Sequence, residues 1–403
     1  MKILWYPQLS VMSQNKYIVT ADSNFRVMTD LVEGLRKCKK RLKIHCLIPK
    51  NISDRRHLSE AKIDKYIFYD AATNVFDTRF HFDANFIRNV LQREKYNMIF
   101  NNEPCLTLNF KVAALNCKKE PKIVTYNHWI DYSGSSKLPK YSYNTRQICG
   151  AIYSDLCLSN TNFSLDMWLD KAVDDFYDKK IKKDLKKKAF KCPPPFNVDE
   201  FKRVNIKKDK TFTIAYNQRL STLPYYEYSW KNSFKIISEL VNEDLNIKVL
   251  AFNPSKKYDM SNIKKKYDFI EFITPNNRLD YLNNLARCHL TFDFYKAERI
   301  WSIAILECCA LNVVPLLQYY DGYKEMFEKN SFVYFPYQNK EVLKNKIKLV
   351  YNWTQHENDK VSDILSNCKR FMLENYSSEV IARNFLEKLK HMNMKRVNQL
   401  GLS

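Results

Sequence analysis

Short apolar runs alternate with amphipathic stretches along almost the whole chain. KILWY (2–6), LKIHCLI (42–48), YNMIF (96–100), KIVTY (122–126) and DLCLS (155–159) are nearly continuous in hydrophobicity, as strands buried on both faces of a parallel sheet are. Between them, NFRVMTDLVEGLRK (24–37) and DANFIRNVLQRE (83–94) place apolar residues three and four apart, the spacing of a helix with one buried face. This βα alternation predicts a doubly wound sheet. Lys-rich 179–191 then gives way to CPPPFNVDEF (192–201), where three prolines stop regular structure and mark a linker. A second series follows, with strands at TFTIAYN (211–217), NIKVLAF (246–252), FIEFI (269–273), HLTFDF (289–294) and VVPLL (313–317). Its helices fall around 231–243, 276–287 and 300–311. SEVIARNFLEKLKHMN (378–393) predicts a closing amphipathic helix with Ser378 at its N-cap.

The pattern divides the chain into a first Rossmann-like domain, 1–195, a second, 196–375, and a terminal helix, 376–403, returning towards the first. In two doubly wound domains joined by a proline hinge, ligands bind at the carboxyl ends of the strands, in the crevice between the domains. Candidate chemistry is therefore sought just after each strand.

At 403 residues and 45% hydrophobic content the chain is long enough for two such cores. The opening MKILWYP passes at once into QLSVMSQNKY, too short an apolar run for a membrane span or a signal peptide, so a soluble, cytoplasmic protein is expected. Eleven scattered cysteines, several inside apolar segments, resemble small core residues in a reducing compartment, and no C-x₂-C pair suggests zinc. The net charge of +22 favours a polyanionic partner such as nucleic acid or an anionic surface. Five glycines beside abundant Lys, Asn, Ile and Tyr are also what an AT-rich genome produces without selection for binding. Neither a Walker loop nor a G-x-G-x-x-G run is present.

In the second domain, Arg219 follows a strand and Lys231 is expected to open the next helix. Two cations converging at a helix N-terminus make an anion site, and a diphosphate is the natural guest; the alternative is a surface arginine and a solvated lysine. Glu307 lies in the apolar run ERIWSIAILECCALNVVPLL (298–317), where an unpaired carboxylate would cost several kcal/mol. It either pairs with Arg299 or a neighbouring lysine, or accepts hydrogen bonds from a ligand such as a ribose 2′,3′-diol. Asn312 fits the left-handed position that ends this helix.

A strand ending in Arg219, a helix at Lys231 and LECCALNVVP (306–315) together resemble retaining nucleotide-sugar glycosyltransferases of the GT-B fold. The resemblance implies that Arg219 and Lys231 hold the donor diphosphate and that Glu307 binds its ribose. It implies that His128, just past KIVTY, contacts the transferred sugar; the alternative is a core histidine capped by Asp131. Asp131 and Glu103, in FNNEP, are the nearby carboxylates available to orient an acceptor hydroxyl. The common family pattern has two glutamates separated by seven residues, but here Arg299 stands eight places before Glu307, with Glu298 one place too far. A basic residue there is similar to the DNA α-glucosyltransferases of T-even bacteriophages. KCPPPF (191–196), SWKN (229–232) and VTYNHW (124–129) resemble segments of the same enzymes, and the likeness spans residues 120–330.

The expectation is thus an α/β GT-B enzyme moving a sugar, with retention, from a nucleoside diphosphate sugar such as UDP-glucose to a hydroxymethylated pyrimidine in double-stranded DNA. Lys182, Lys183, Lys186 and Lys187, in DKKIKKDLKKKAFK (178–191), are candidate phosphate contacts, or else a solvated helix face. No metal or other cofactor is implied, because Arg219 and Lys231 supply the charge that neutralises the leaving diphosphate. The alternatives are the same transfer to a surface glycan, teichoic acid or tRNA nucleoside, and a non-catalytic nucleic-acid-binding protein on this scaffold.

Overall fold

The computed structural model describes residues 1–13, 15–20, 22–71, 82–115, 117–127, 140–167, 169, 179–218, 220, 224–252, 261–295 and 300–399. They form two compact units, one of Met1–Asn197 with Tyr376–Ser403, the other of Val198–Asn375.

The first unit contains β1 Lys2–Tyr6, β2 Met12–Ser13, β3 Lys16–Tyr17, β4 Lys43–Pro49, β5 Lys65–Tyr69, β6 Met98–Asn101, β7 Lys122–Asn127, β8 Leu156–Ser159 and β9 Ala189–Lys191. Seven of them make a parallel sheet in the order β5-β4-β1-β6-β7-β8-β9, and β2 pairs antiparallel with β3. Every residue of β6 and β8 is buried, which is why those segments carry no polar alternation. The strand order reverses at β1, so the topological switch point lies at the carboxyl ends of β1 and β6.

One face of this sheet is covered by the helix Ser23–Cys38 and the terminal helix Ser378–Gln399, whose Phe385 meets Phe100 of β6 edge-on. The two helices approach so closely at Gly34 that a Cβ there would stand 1.8 Å from the carbonyl oxygen of Ser378. Glycine in mid-helix is explained by that approach. Ser378 is the first helical residue rather than the N-cap, one position on from the sequence expectation, and its Oγ is buried without a hydrogen-bond partner.

The second unit contains β10 Phe212–Tyr216, β11 Ile247–Phe252, β12 Ile270–Ile273, β13 Leu290–Asp293, β14 Val314–Gln318 and β15 Tyr334–Phe335, all parallel, in the order β12-β11-β10-β13-β14-β15. This is the Rossmann order, with its switch point between β10 and β13. Tyr216, Phe234 and residues of the helix Lys340–His356 close one core, in which Phe212, Ile214, Val249 and Ile347 are essentially inaccessible. The helix expected from 231 begins at Pro224 instead, because proline costs no hydrogen bond in the first turn and presets φ for the helix. Among the described residues no helix is long and apolar enough to cross a membrane.

Candidate donor site and strand-end residues

Asn217 follows β10 at the switch point of the second unit. Its Nδ2 donates to the carbonyl of Ala304 at 3.0 Å and to Cys308 Sγ at 3.1 Å, while Thr291 of β13 donates to its Oδ1 at 3.3 Å. One side chain therefore ties β10, β13 and the helix Ile303–Ala310 together. That helix ends in a Schellman arrangement: Val313 N–H donates to Cys308 O, Asn312 N–H to Cys309 O, and Asn312 sits at φ 60°. Asn312 thus occupies the left-handed position expected from the sequence.

Glu307 projects from the middle of this helix and is 5% exposed. Among the described residues its partners are an arginine and a tyrosine from another helix, not a neighbouring lysine. Arg278 Nη2 donates to Oε1 at 2.6 Å and Tyr281 OH donates to Oε2 at 3.0 Å. The same Arg278 Nη2 reaches Glu200 Oε2 at 3.0 Å and Nε reaches Glu200 Oε1 at 3.2 Å, so one guanidinium bridges two carboxylates. Arg278 and Tyr281 are three residues apart on the helix Arg278–Ala286, hence on one face, and that helix is capped by Asn277, which accepts from Asp280 N–H at 2.9 Å. Burial works against the charge on Arg278, but the Glu307 and Glu200 carboxylates outweigh it and hold the guanidinium's pKa above its ordinary value. Burial, reinforced by the Glu307 charge, pushes the Tyr281 phenol up, so it stays a donor.

The carboxylate does not need a ligand to be satisfied, because protein donors already occupy two of its roughly four lone-pair directions. Sequence reasoning misses Arg278 because it lies 29 residues upstream.

Lys231 is displaced from its expected place. With the helix starting at Pro224, it lies in the third turn, 58% exposed, ion-paired with Glu227 at 2.6 Å and 5.6 Å from the centre of the Trp230 ring. It does not stand at a helix N-terminus. Arg219, Arg299, His128 and Asp131 lie outside the described residues. Gln218, next to Arg219, is 9% exposed and its Nε2 is buried without a partner.

At the switch point of the first unit the strand ends are strongly polar. Gln8 after β1 has φ 49°, and both its carbonyl and its Oε1 accept from Asn24 Nδ2, at 2.8 and 3.1 Å; Asn24 Oδ1 is buried with no partner. Trp5 Nε1 donates to Asn102 Oδ1 at 3.2 Å. Asn127, at the end of β7 and directly before His128, donates to Cys157 Sγ at 3.2 Å and leaves its buried Oδ1 unpartnered. Glu103 is fully buried, and its carboxylate accepts from Cys105 N–H at 3.2 Å, capping the short 3-10 helix Pro104–Leu106. Buried in this way, it does not stand in an open position from which to orient an acceptor.

The lysine-rich segment forms the helix Lys179–Lys188. Leu185 is buried against Ile148, Ala151 and Leu169, while Lys183, Lys186 and Lys187 are exposed and Lys182 is half-buried. Lys187 pairs with Asp184 at 2.8 Å. Lys188 instead donates to the carbonyls of Ile152 and Ser154, at 2.5 and 3.0 Å, and burial lowers its pKa. Since Lys188 leads directly into β9, Lys186 and Lys187 stand towards the amino edge of the sheet, opposite the strand ends that carry the polar cluster. Among the described residues no group of three or more His, Cys, Asp or Glu side chains is arranged to hold a metal ion.

No protein-family model matches the chain, and no characterised protein matches it in sequence. Solved structures do match. A glycosyltransferase from Rickettsia africae superposes with a TM-score of 0.68 at 14% identity, covering 97% of this chain and 98% of its own. Sucrose-phosphate synthase from Thermosynechococcus elongatus gives 0.68 at 10% identity, covering 98% and 99%. HepE from Anabaena, in complex with UDP-glucose, gives 0.64 at 12% identity, covering 97% and 100%. The chain has the GT-B fold. The two Rossmann-like domains expected from the βα alternation are therefore present, and the likeness extends over essentially the full length of each neighbour.

Proposed function

We propose that this protein is a UDP-sugar-dependent glycosyltransferase that transfers its sugar, with retention, to the hydroxyl of a hydroxymethylated pyrimidine in duplex DNA. The observation that carries the donor half is Glu307: a carboxylate fixed by Arg278 and Tyr281 on the helix beside the β10/β13 switch point, with lone pairs left for a ribose diol. The binding of UDP-glucose by HepE, which shares the fold over 97% of this chain, supports the choice of donor.

In this reading Arg219 neutralises the diphosphate. Lys231, held by Glu227 in the third turn of its helix, takes no part in binding the diphosphate. The acceptor oxygen attacks the anomeric carbon as the bond to the diphosphate breaks, and the departing phosphate oxygen takes the acceptor's proton on the same face. Positioning and charge stabilisation then provide most of the rate, with His128 against the sugar and Asp131 near the acceptor. No protein nucleophile is required.

The acceptor half rests on the net charge of +22 and on the exposed Lys183, Lys186 and Lys187. Lysines gripping phosphates offset the few kcal/mol needed to flip a base out of the stack. From the amino edge of the sheet, Lys186 and Lys187 would hold flanking duplex rather than the flipped nucleotide. A saccharide acceptor is the second reading, favoured by a neighbour named for sucrose phosphate.

The test is mass spectrometry of nucleosides and glycans after incubating the protein with a panel of UDP-sugars and either hydroxymethylated DNA, matched unmodified DNA or oligosaccharides. Sugar on hydroxymethylated pyrimidine alone is the expected result. Transfer confined to oligosaccharides replaces the DNA acceptor, and no transfer to either from any donor that the protein binds overturns the DNA reading and leaves teichoic acid or a tRNA nucleoside as the acceptor.

A further inference from the structure

We infer that Arg278, anchored by Glu200, is a positioning residue that aims the Glu307 carboxylate for ribose recognition. The inference rests on the reading of Glu307 as the ribose ligand and adds what makes that glutamate selective. A glutamate side chain has three rotatable bonds, and a ligand that must freeze them loses affinity in doing so. Here they are frozen in advance. Arg278 fixes Oε1 at 2.6 Å and Tyr281 fixes Oε2 at 3.0 Å, so the plane of the carboxylate is set before a diol arrives.

Neutralisation alone does not explain the arrangement. A lysine would supply the same charge, whereas the planar guanidinium is engaged through Nε and Nη2 at once by Glu200 and turns its remaining Nη2 hydrogen to Glu307. Glu200 thereby fixes the direction from which Arg278 approaches. The ring of Tyr281 lies 5.3 Å from the guanidinium carbon and packs in turn against Phe252 at 5.1 Å, which restrains the group from another side. Asn277 holds the start of the arginine's helix, and Asn217 holds the glutamate's helix against β10 and β13. Both ends of the ion pair are thus held in place by neighbouring elements. Glu200 itself lies in Val198–Phe201, the short helix with which the second unit begins.

The experiment compares UDP with 2′-deoxy-UDP by calorimetry in the wild type, E307Q, R278K and E200Q. R278K keeps the positive charge between the two carboxylates and E200Q leaves the Arg278–Glu307 pair intact, so both preserve the fold; retained 2′-deoxy-UDP affinity confirms this in each variant. The wild type should prefer UDP by about tenfold or more, as a hydrogen bond to a charged group allows. That preference should vanish in E307Q and fall at least about threefold in R278K and E200Q, without a matching loss of 2′-deoxy-UDP affinity. If E307Q loses the preference while R278K and E200Q keep it in full, Arg278 is a structural ion-pair partner only and the inference is overturned. If E307Q keeps the wild-type preference, the ribose reading of Glu307 fails first and takes the inference with it.

Discussion

A glutamate at 5% exposure inside an apolar helix is tolerable because Arg278 and Tyr281 each donate to one of its oxygens. Glu307→Ala removes a charge-assisted site worth about 1.5–3 kcal/mol to a bound ribose, so UDP should bind roughly 10- to 100-fold more weakly, by calorimetry. Unchanged affinity would remove Glu307 from the donor site. Lys231→Ala, by contrast, breaks an exposed i,i+4 pair with Glu227 worth roughly a few tenths of a kcal/mol, and should alter UDP affinity less than about threefold. A further single-residue prediction concerns His289. Burial, with Lys208 nearby, lowers its pKa to about 4, and its Nδ1 accepts from Thr213 N–H at 3.0 Å, which only the neutral ring does. Between the unfolded value near 6.5 and about 4, the unfolded chain carries the extra proton, so stability is present above that window and lost as pH falls through it. His289→Gln should flatten the fall in Tm across that same window; a parallel fall in both proteins would contradict the assignment. What made Glu307 legible in the sequence was a charge where hydrophobic pattern leaves no room for one. Arg278 was not legible because 29 residues, with a helix and a strand among them, separate it from Glu307 along the chain.

Among the elements, Gly34 gives the sharpest test. In an exposed helix, replacing glycine by alanine stabilises by about 1 kcal/mol. Here the added methyl meets the Ser378 carbonyl, so Gly34→Ala should destabilise by about 1–3 kcal/mol, seen as a lower Tm. A raised Tm would show that the terminal helix does not sit this close. Asn312→Val should likewise cost about 1–2 kcal/mol, since a β-branched residue resists φ 60°, whereas Asn312→Gly should be nearly neutral. Denaturant midpoints of the two variants distinguish these outcomes. Long strands buried on both faces are readable from composition alone, as β1, β4, β7 and β11 show. β5 escapes such a reading because it is a half-exposed edge strand without clean alternation, and β9 and β15 because three and two residues carry no periodicity. The Pro224 start is hidden because the aromatic run YYEYSW after it does not show a simple apolar face.

On the scale of the whole molecule, βα alternation reveals the fold class, but the switch points depend on strand order, which no local pattern encodes. Charge is a property of the same scale. If exposed lysines neutralise phosphates, duplex affinity must fall with added salt, with a log–log slope of about 0.9 per phosphate contacted. Replacing Lys183, Lys186 and Lys187 together by alanine should reduce that slope by up to about three while leaving UDP affinity unchanged. An unaltered slope would place the DNA contact elsewhere. Donor recognition is nevertheless the claim on which acceptor, retention and positioning all depend. Its most direct test is calorimetric titration of the full chain with UDP and with UDP-glucose. The account predicts saturable one-site binding of both, with most of the affinity already present in UDP. Absence of saturable binding to either, at concentrations of about 1 mM where even weak complexes form, would contradict it.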